Sequence, residues 1–559
     1  MKQHANQHRL PFVESLEQYK EQHMVPFHTP GHKIGQGAPP LLTEWMGNAL
    51  PYDLGLMYAI DDYHEPEREL LEAQQLAAQA FGADHTWFSI NGTSGAIQMM
   101  IMSAVKEGDS IIIPREAHCS VHNSLVLSGA KPIYMTGRFH QRWGIPVGVT
   151  ADDAIATMVA HPEAKAILLV HPNYYGVGVD VERIVQAAHE RHMLVLVDEA
   201  HGPHLVPSLG MPIPALASGA DLVAQSTHKL LGSLTQTSML HGQGPRIDVD
   251  RIQRLQQILM STSPNYIFLA SLDMARHQWA TEGPSLMKHT LELARTLRRV
   301  LNEIPGIACP SLTDIEGAFS LDETKIIIEA KDLGLTAQEL ERELRARHIE
   351  VELMKAYHVL LLITIGDTDT SIQHVIDAVQ DISDNYRYNV ECATKKFSTA
   401  HRKNDTISGE QTNYTPINVM HSTKNTTKDT IKNITGDATR NTIIDNVDDV
   451  YDAYHAHATD DKGVDASIME TLPTPVVALS PREAFYTEME EIHLEKALGR
   501  VSGETITYYP PGIPCLGVGE TITEEVLAYM KQKQRDGYVP NGARDRQLQT
   551  ILVCKDREK

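Results

Sequence analysis

The sequence predicts an α/β protein built on a mainly parallel sheet that is covered by helices on both faces. From about residue 87 to residue 240, short apolar runs alternate with amphipathic stretches such as Val181–Arg191. Repeated strand–helix–strand units form right-handed crossovers between parallel strands. The apolar runs that we predict as strands are Trp87–Ile90, Ser110–Ile113, Ala166–Val170, Met193–Val197 and Asp221–Ala224.

Polar residues follow each predicted strand. The five segments read NGTSG, PREAH, HPN, DEAHG and QSTHK. In an open α/β sheet, ligands bind at the carboxyl ends of the strands. We therefore expect these five segments to converge on one crevice, which would be the functional site.

The length of 559 residues predicts more than one domain. Beyond Pro305, a helical pattern over Thr336–Arg347 precedes apolar runs at Ile349–Met354 and Val359–Ile365, as in a smaller α+β domain. The predicted parts of the chain are an N-terminal arm (1–30), a large domain (31–300), a small α+β domain (301–389), an insertion (390–471) and a C-terminal domain (472–559).

The insertion is rich in Asn, Thr, Asp and Lys, has few aromatic residues and shows no sustained period. A segment of this composition cannot bury enough apolar surface to offset the entropy lost on ordering. We therefore expect residues 390–471 to be disordered and to loop out of the fold.

Composition excludes several classes of function. The net charge of −23 argues against nucleic acid as a partner and suits a small cationic ligand, although acidity also serves solubility. No apolar run approaches the ~20 residues that span a bilayer, and the N-terminus lacks the apolar region of a secretory signal. Five cysteines form no CxxC pair, so we expect reduced thiols, no metal site and a cytoplasmic protein without membrane contact.

Two residues at predicted strand ends have matching chemistry. Lys229 ends the QSTHK segment, and a buried lysine amine has a lowered pKa that makes it a nucleophile. Asp198 follows the strand Met193–Val197, where a buried carboxylate needs a cationic partner such as a protonated pyridine nitrogen. A solvated lysine at a strand end and an aspartate that caps a helix are the alternative interpretations.

The segment from Asn91 to Gly95 joins a strand to a helix, and its N–H groups and hydroxyls form an anion site. It matches neither the P-loop nor GxGxxG, and such turns also cap helices without a ligand. His118 follows the strand Ser110–Ile113 and could stack on a planar ring, although most histidines in such positions have no ligand.

Taken together and in this order, the residues resemble those of fold-type I pyridoxal phosphate (PLP) enzymes, and more closely the ornithine, lysine and arginine decarboxylases. The resemblance covers nearly the whole chain except the insertion. The segments that carry it are TPGHK (29–33), Asp61-Asp62, NGTSG (91–95), DEAHG (198–202), STHKLL (226–231), STSP (261–264) and YPPGIP (509–514) running to Gly519-Glu520.

The resemblance implies an aspartate aminotransferase-like large domain with a seven-stranded sheet, and a lyase that decarboxylates arginine, lysine or ornithine to an amine of polyamine biosynthesis. Arginine is the first choice, because shorter family members without an N-terminal wing domain use it. The implied assembly is a homodimer or a higher homo-oligomer.

The resemblance also assigns roles to single residues. Lys229 would hold PLP as an imine, Asp198 would pair with the pyridine nitrogen and His118 would stack on the ring. Gly92, Thr93, Ser94, Ser226 and His228 would lie at the phosphate, and Ser261 would reach the phosphate of the neighbouring subunit. His201 would lie near the ring and the substrate carboxylate, and Glu520 would bind the distal cation of the substrate.

One position departs from the family pattern, because Cys119 stands where a basic residue commonly follows the stacking histidine. Two other functions stay open at this point. One is a different fold-type I enzyme, an α-oxoamine synthase or an aminotransferase-like protein, although the YPPGIP segment argues against it. The other is a catalytically silent PLP-binding regulator, which intact Lys229, Asp198 and His118 disfavour.

Overall fold

The computed structural model describes residues 6–355, 358–404, 472–508 and 514–555. The strands are β1 (His85–Ser89), β2 (Ser110–Pro114), β3 (Lys131–Met135), β4 (Arg138–His140), β5 (Ile145–Gly148), β6 (Ala166–Val170), β7 (Val177–Gly178), β8 (Leu194–Asp198), β9 (Leu222–Gln225), β10 (Ser238–Gly242), β11 (Ser320–Leu321), β12 (Lys325–Ile328), β13 (Leu353–Lys355), β14 (His358–Leu362), β15 (Met489–His493), β16 (Ile506–Thr507), β17 (Pro514–Leu516) and β18 (Thr550–Cys554). The helices are α1 (Pro11–Glu21), α2 (Pro40–Met46), α3 (Glu69–Phe81), α4 (Gly92–Ala104), α5 (Cys119–Ser128), α6 (Ala151–Ala160), α7 (Val181–Glu190), α8 (Thr227–Leu230), α9 (Val249–Leu259), α10 (Tyr266–Glu303), α11 (Ala337–Arg345), α12 (Asp369–Asn404), α13 (Pro481–Tyr486) and α14 (Glu524–Arg535).

Seven strands form the central sheet in the order β1-β10-β9-β8-β6-β2-β3. Strands β3, β2, β6, β8 and β9 pair in parallel, whereas β10 is antiparallel to both of its neighbours. Strand β1 therefore points the same way as the parallel strands, and only β10 runs against them. The expected mainly parallel, seven-stranded α/β fold is confirmed, and the five polar segments lie at one edge of the sheet.

Helices cover both faces of this sheet and form two apolar cores. One core contains residues of α3, α4, α9 and the first part of α10, together with Phe12 and Leu16 of α1. The other contains residues of α6 and α7. Along the sheet strands, neighbouring residues alternate between the cores, as Ile111 and Ile112 of β2 do, because successive side chains point to opposite faces.

Smaller units follow the large domain. Helix α10, of 38 residues, leads to an antiparallel sheet in the order β12-β14-β13, beside which α11 packs. Thr336 and Glu339 form a capping box at the start of α11, which fixes the helix predicted from the sequence pattern. The C-terminal segment has its own core, formed by α14 with β15–β18 and the turns between them. Among the described helices, none combines the length and apolar character that a membrane crossing requires.

Helix α12 continues to Asn404 and so includes residues 390–404, which the composition assigned to the disordered insertion. For these residues the expectation of disorder is corrected to helix. Good helix formers such as Glu391, Ala393 and Lys395 are interspersed there, and extending an existing helix costs far less than nucleating one. The remainder of the insertion, 405–471, lies outside the described residues, as does most of the YPPGIP segment.

Asp61 fixes the approach of the chain to α3. Its buried carboxylate accepts hydrogen bonds from the N–H groups of Arg68 (2.9 Å) and Leu70 (3.0 Å), at the start of the helix, and from Glu67 (3.1 Å). Arg68, the residue before the helix, makes no side-chain cap. A distant aspartate therefore supplies both the missing cap and the negative charge that the positive end of a helix favours.

Replacing the carboxylate of Asp61 tests its contribution to the stability of the fold. Asp61→Ala leaves several N–H groups at the start of α3 without an acceptor, including that of the buried Leu70, so we expect the free energy of unfolding to fall by about 2–4 kcal/mol. The neighbouring exposed Asp62 accepts a local bond from His64 N–H (2.8 Å), so Asp62→Ala is the matched control, with an expected loss below about 1 kcal/mol. Equal losses in chemical denaturation of the two variants would show that Asp61 has no special role.

Candidate active site

Asp198 is the last residue of β8, at the centre of the sheet, between Val170 of β6 and Ala224 of β9. Its side chain is 5 % exposed and accepts a hydrogen bond from Ala200 N–H (3.1 Å). Burial raises the pKa of this carboxyl, whereas that N–H group and the positive charges of His118 and Lys229 oppose the rise. Asp198 is thus a buried carboxylate that a further cation would stabilise.

Lys229 lies in the short helix α8, directly after β9, and its amine contacts His201. The distance from Lys229 Nζ to His201 Nε2 is 2.9 Å. Burial lowers the pKa of the Lys229 amine, although the charges of Asp198 and Glu352 act against this. Burial, together with nearby cations, also lowers the pKa of His201 well below its usual value. The neutral imidazole and the lysine amine therefore share one hydrogen bond through His201 Nε2.

An aromatic side chain that the sequence analysis did not single out completes this group. The ring of Tyr174 lies 4.4 Å from the ring of His201 between centroids, and Lys229 Nζ is 5.7 Å from the Tyr174 centroid. The Tyr174 hydroxyl donates to the carboxylate of Glu352. Tyr174 directly follows the HPN segment, so its place at a strand end was a usable signal. Glu352 comes from the smaller domain and had no local motif.

Hydroxyl groups gather at the start of α4. Thr93 Oγ1 contacts Ser226 Oγ and lies 3.0 Å from Ser238 Oγ. The adjacent Thr227 Oγ1 is buried and finds no hydrogen-bond partner among the described residues. Gly92 has a φ of +62°, and a Cβ added there would meet no atom within 4 Å, so the space above the first turn is open. A helix start with free N–H groups, hydroxyls and open space is an anion site.

Ser94 and His118, both predicted for this site, face solvent in the single chain. Ser94 is exposed in the first turn of α4, and His118 is exposed as the N-cap of α5, where its Nδ1 accepts a bond from Ser120 N–H (3.2 Å). The imidazole charge of His118 acts on Asp198, which places the ring on the Asp198 side of the crevice. Cys119, at the position that departs from the family pattern, is exposed, with Sγ 3.7 Å from His118 Nε2.

Two further predicted residues have fixed contacts. His228 Nδ1 donates to the carbonyl of Thr237 (2.6 Å), which leaves Nε2 for other partners. Ser261 is exposed after α9, and its Oγ accepts a bond from Ser263 N–H (3.1 Å). The preceding Met260 packs close to Gly95 of α4, since a Cβ added to that glycine would lie 2.7 Å from Met260 Cε. The predicted contact of Ser261 with a neighbouring subunit stays a prediction.

Glu520 is held by an internal cation. Its carboxylate is 2 % exposed, and the guanidinium of Arg115 contacts both of its oxygens, with Arg115 Nη2 2.8 Å from Glu520 Oε2. Gly517 N–H donates to the same Oε2 (2.7 Å), and Arg115 Nε donates to the carbonyl of Pro514 (3.0 Å). The pair joins the PREAH segment to the C-terminal segment. The predicted role of Glu520 toward substrate stays a prediction.

The described residues fit PLP. The buried Asp198 carboxylate suits a pyridinium nitrogen, and the Lys229 amine suits an aldehyde. The hydroxyls at the start of α4, together with the unpartnered Thr227 Oγ1, suit a phosphate. Six of the predicted residues are brought to this crevice, namely Thr93, His118, Asp198, His201, Ser226 and Lys229.

Comparison with known proteins gives the same picture. The sequence profile of the "Orn/Lys/Arg decarboxylase, major domain" matches residues 10–371, and that of the "Orn/Lys/Arg decarboxylase, C-terminal domain" matches residues 464–538. The match favours a decarboxylase over the α-oxoamine synthase and aminotransferase-like alternatives.

Several curated relatives align over nearly their whole length. The chain is 38% identical to an arginine decarboxylase of Bacillus anthracis over 555 residues, which is 99% of this chain and 98% of that protein. It is 36% identical to an arginine decarboxylase of Bacillus subtilis over 557 residues, 99% of each chain. Lysine decarboxylase LdcA of Pseudomonas aeruginosa is 26% identical, over 93% of this chain and 75% of that protein.

Solved structures share the fold. The lysine decarboxylase LdcF of Francisella novicida superposes with a TM-score of 0.73 at 20% identity, over 98% of this chain and 81% of that one. The constitutive lysine decarboxylase of E. coli gives a TM-score of 0.70 at 21% identity, over 98% and 82%. With a profile matched over most of the chain and relatives above 30% identity, the chain belongs to the ornithine, lysine and arginine decarboxylase family and is a PLP-dependent enzyme that decarboxylates a basic amino acid.

Proposed function

We propose that the substrate is arginine, which the enzyme converts to CO2 and the corresponding amine of polyamine biosynthesis. The observation that carries the proposal is the contrast in similarity among relatives. Four curated arginine decarboxylases are 35–38% identical to the chain over 92–99% of its length. Lysine decarboxylases of Pseudomonas aeruginosa and E. coli are only 24–26% identical.

The Arg115–Glu520 pair gives independent support for arginine. Nη1 and Nη2 of Arg115 each contact one oxygen of Glu520, so this carboxylate has the geometry that a guanidinium ligand requires. An ammonium, by contrast, is a point charge. Glu520 thus recognises the distal group of the substrate, and Arg115 competes with that group for the carboxylate. The internal arginine holds the buried carboxylate while substrate is absent, which avoids an unpaired buried charge.

Lys229 would hold the cofactor through Nζ, and Asp198 would keep a proton at the pyridine nitrogen. When bound, PLP supplies an electron sink for the electron pair that CO2 leaves on the α-carbon. The lowered pKa of Lys229 gives its amine the unprotonated fraction that attack on an aldehyde needs. His201 Nε2 forms a hydrogen bond with Nζ, which orients the amine and keeps it in the crevice.

The remaining predicted residues position the ring and the phosphate. His118 would stack on the ring, and its bond from Ser120 fixes the imidazole orientation. Gly92, Thr93, Ser94, Ser226 and His228 hold the phosphate at the start of α4. After CO2 leaves, either Lys229 Nζ or His228 Nε2 returns a proton to the α-carbon, since Nδ1 of His228 is bound to Thr237.

The enzyme acts as a homodimer or a higher homo-oligomer, with Ser261 at the phosphate of the neighbouring subunit. Large apolar side chains on the segment after α1 support this, because Phe27, Trp45 and Tyr58 are 93%, 77% and 100% exposed in the single chain. Such a surface is typical of an interface. The cytoplasm is the proposed compartment, since Cys119, Cys309, Cys515 and Cys554 are free thiols.

Lys229→Ala tests the cofactor assignment. We expect loss of the visible absorbance of the bound cofactor and a fall in CO2 release of at least about 1000-fold, since no other amine occupies the same position. Lys131, exposed at the start of β3, provides the control, and Lys131→Ala should retain both signals. Substantial turnover by Lys229→Ala would remove this lysine from its proposed role.

Asp198→Asn tests the proton held at the ring. Asparagine keeps the size of the side chain but cannot stabilise a cation, so we expect decarboxylation to slow by about 100-fold or more with cofactor still bound. Asp248→Asn is the control, because Asp248 is exposed and caps α9, where asparagine also serves. A near-normal rate in Asp198→Asn, measured by CO2 release, contradicts the assignment.

The substrate itself is tested by comparing kcat/KM on arginine, lysine and ornithine under identical conditions. We expect arginine to exceed the other two by at least about tenfold, the equivalent of about 1.4 kcal/mol in transition-state binding. Glu520→Gln should reduce that preference, because the amide cannot pair with a cation. A higher kcat/KM on lysine or ornithine would refute the arginine assignment.

A further inference from the structure

A second buried lysine lies beside the active site and has no role in the mechanism above. Lys325 begins β12 and is 1 % exposed. Its Nζ finds no hydrogen-bond acceptor among the described residues. The nearest anion is Asp322, with Oδ2 3.8 Å from Nζ. An ammonium group that is fully buried and so weakly paired is costly, so it requires an explanation.

Asp322 does not belong to Lys325 alone. Its Oδ2 lies 3.0 Å from His204 Nε2, and its Oδ1 accepts bonds from Thr324 N–H (3.0 Å) and Thr324 Oγ1 (2.7 Å). Burial opposes ionisation of Asp322, but the charges of His204 and Lys325 outweigh it and lower the pKa of this carboxyl. Asp322 thus bonds Thr324 through Oδ1 and lies within ion-pair distance of both His204 and Lys325 through Oδ2, and the ammonium of Lys325 keeps capacity for another anion.

The backbone brings Lys325 to the wall of the active site. Strand β11 pairs with β7, and Asp322 N–H donates to the carbonyl of Gly176 (2.8 Å). A Cβ added to Gly176 would lie 2.8 Å from Lys325 Cγ, so the lysine stem runs directly along this glycine. Gly176 is two residues beyond Tyr174, whose ring contacts His201.

The same region holds several buried polar atoms without a hydrogen-bond partner. Among the described residues these include His201 Nδ1, His204 Nδ1 and Asp322 Oδ2, as well as Lys325 Nζ. The positive charge of Lys325 contributes to the low pKa of His201, so the ammonium lies within electrostatic reach of the ring that binds Lys229. A buried ammonium that lacks a hydrogen-bond acceptor and lies beside a reactive amine is suited to an anionic part of the substrate.

We propose that Lys325 binds the α-carboxylate of the substrate. A basic amino acid carries one anionic group, and that group is bonded to the α-carbon, which must lie beside Lys229. The inference rests on the proposed role of Lys229. It adds a specificity-determining residue from the smaller domain, which lets the enzyme distinguish its amino acid substrate from the amine product.

The choice of a lysine suits the reaction. The carboxylate loses its charge as it becomes CO2, so a strong bidentate arginine pair would stabilise the starting state more than the transition state. Burial lowers the pKa of Lys325 to about 8, and the charge of Asp322 opposes the fall. The ammonium therefore attracts the substrate below pH 8, and it has no anion to retain once CO2 has left.

Lys325→Met tests the proposal, because methionine fills the buried space without a charge. We expect KM for arginine to rise at least about tenfold, while the dissociation constants of the amine product and of arginine methyl ester stay within about twofold. Calorimetric titration of the holoenzyme measures the binding of both ligands without turnover, because neither of them carries a carboxylate. In the wild type, KM should rise above pH 8 as Lys325 loses its proton, and Lys325→Met should not show that rise.

Lys355→Met is the matched control. Lys355 lies on β13 of the same small sheet, burial likewise lowers its pKa to about 8, and its charge acts on His358. Its replacement should leave KM and the pH profile unchanged. Cofactor absorbance and the thermal unfolding midpoint of each variant show whether the fold is retained.

Asp322→Asn provides a second variant if Lys325→Met does not fold. Removing the carboxylate that raises the pKa of Lys325 should move the rise in KM to lower pH. The proposal is overturned if KM is unchanged in Lys325→Met, if KM and the product dissociation constant rise equally, or if the pH profile of Asp322→Asn does not move. Turnover by Lys229→Ala would instead overturn the proposed function together with this inference.

Discussion

The burial of the Lys229 amine against a neutral imidazole is the interaction on which the rest of the site depends. An exposed lysine at neutral pH is almost entirely protonated and unreactive. Here desolvation lowers the pKa of the amine, and His201, itself kept neutral by burial and nearby cations, holds it at 2.9 Å. Asp198 adds a counter-charge that limits the shift, so the site balances reactivity against the cost of burying a cation.

Groups from two parts of the chain set this balance, and a third part is tied to the large domain by an ion pair. The parallel strands bring Asp198, Lys229 and the hydroxyls of α4 together, because their carboxyl ends share one edge of the sheet. The smaller domain contributes the charges of Glu352 and Lys325, which act on the same amine and imidazole. The C-terminal segment is held to the PREAH segment by the buried Arg115–Glu520 pair. Breaking that pair would leave an uncompensated buried charge.

The sequence was most informative where chemistry and strand ends coincide. Alternating apolar runs and helices predicted the parallel sheet, and DEAHG and STHK identified Asp198 and Lys229, because a local pattern encodes both the strand and the residue that follows it. Lys325 and Glu352 could not be found this way, since they reach the site through tertiary docking of a separate sheet. The Arg115 partner of Glu520 was missed for the same reason, as 405 positions separate the two residues. Composition alone also gave no sign that α12 extends to Asn404.

The proposed mechanism requires the amine of Lys229, and no other, to be joined covalently to the cofactor. Borohydride reduction of the holoenzyme fixes such a bond irreversibly, and mass spectrometry of the digested protein locates the added mass. We expect one labelled peptide, which contains Ser226-Thr227-His228-Lys229, with the cofactor mass on the lysine. A label on another lysine, or a reduced holoenzyme without any labelled peptide, would contradict it.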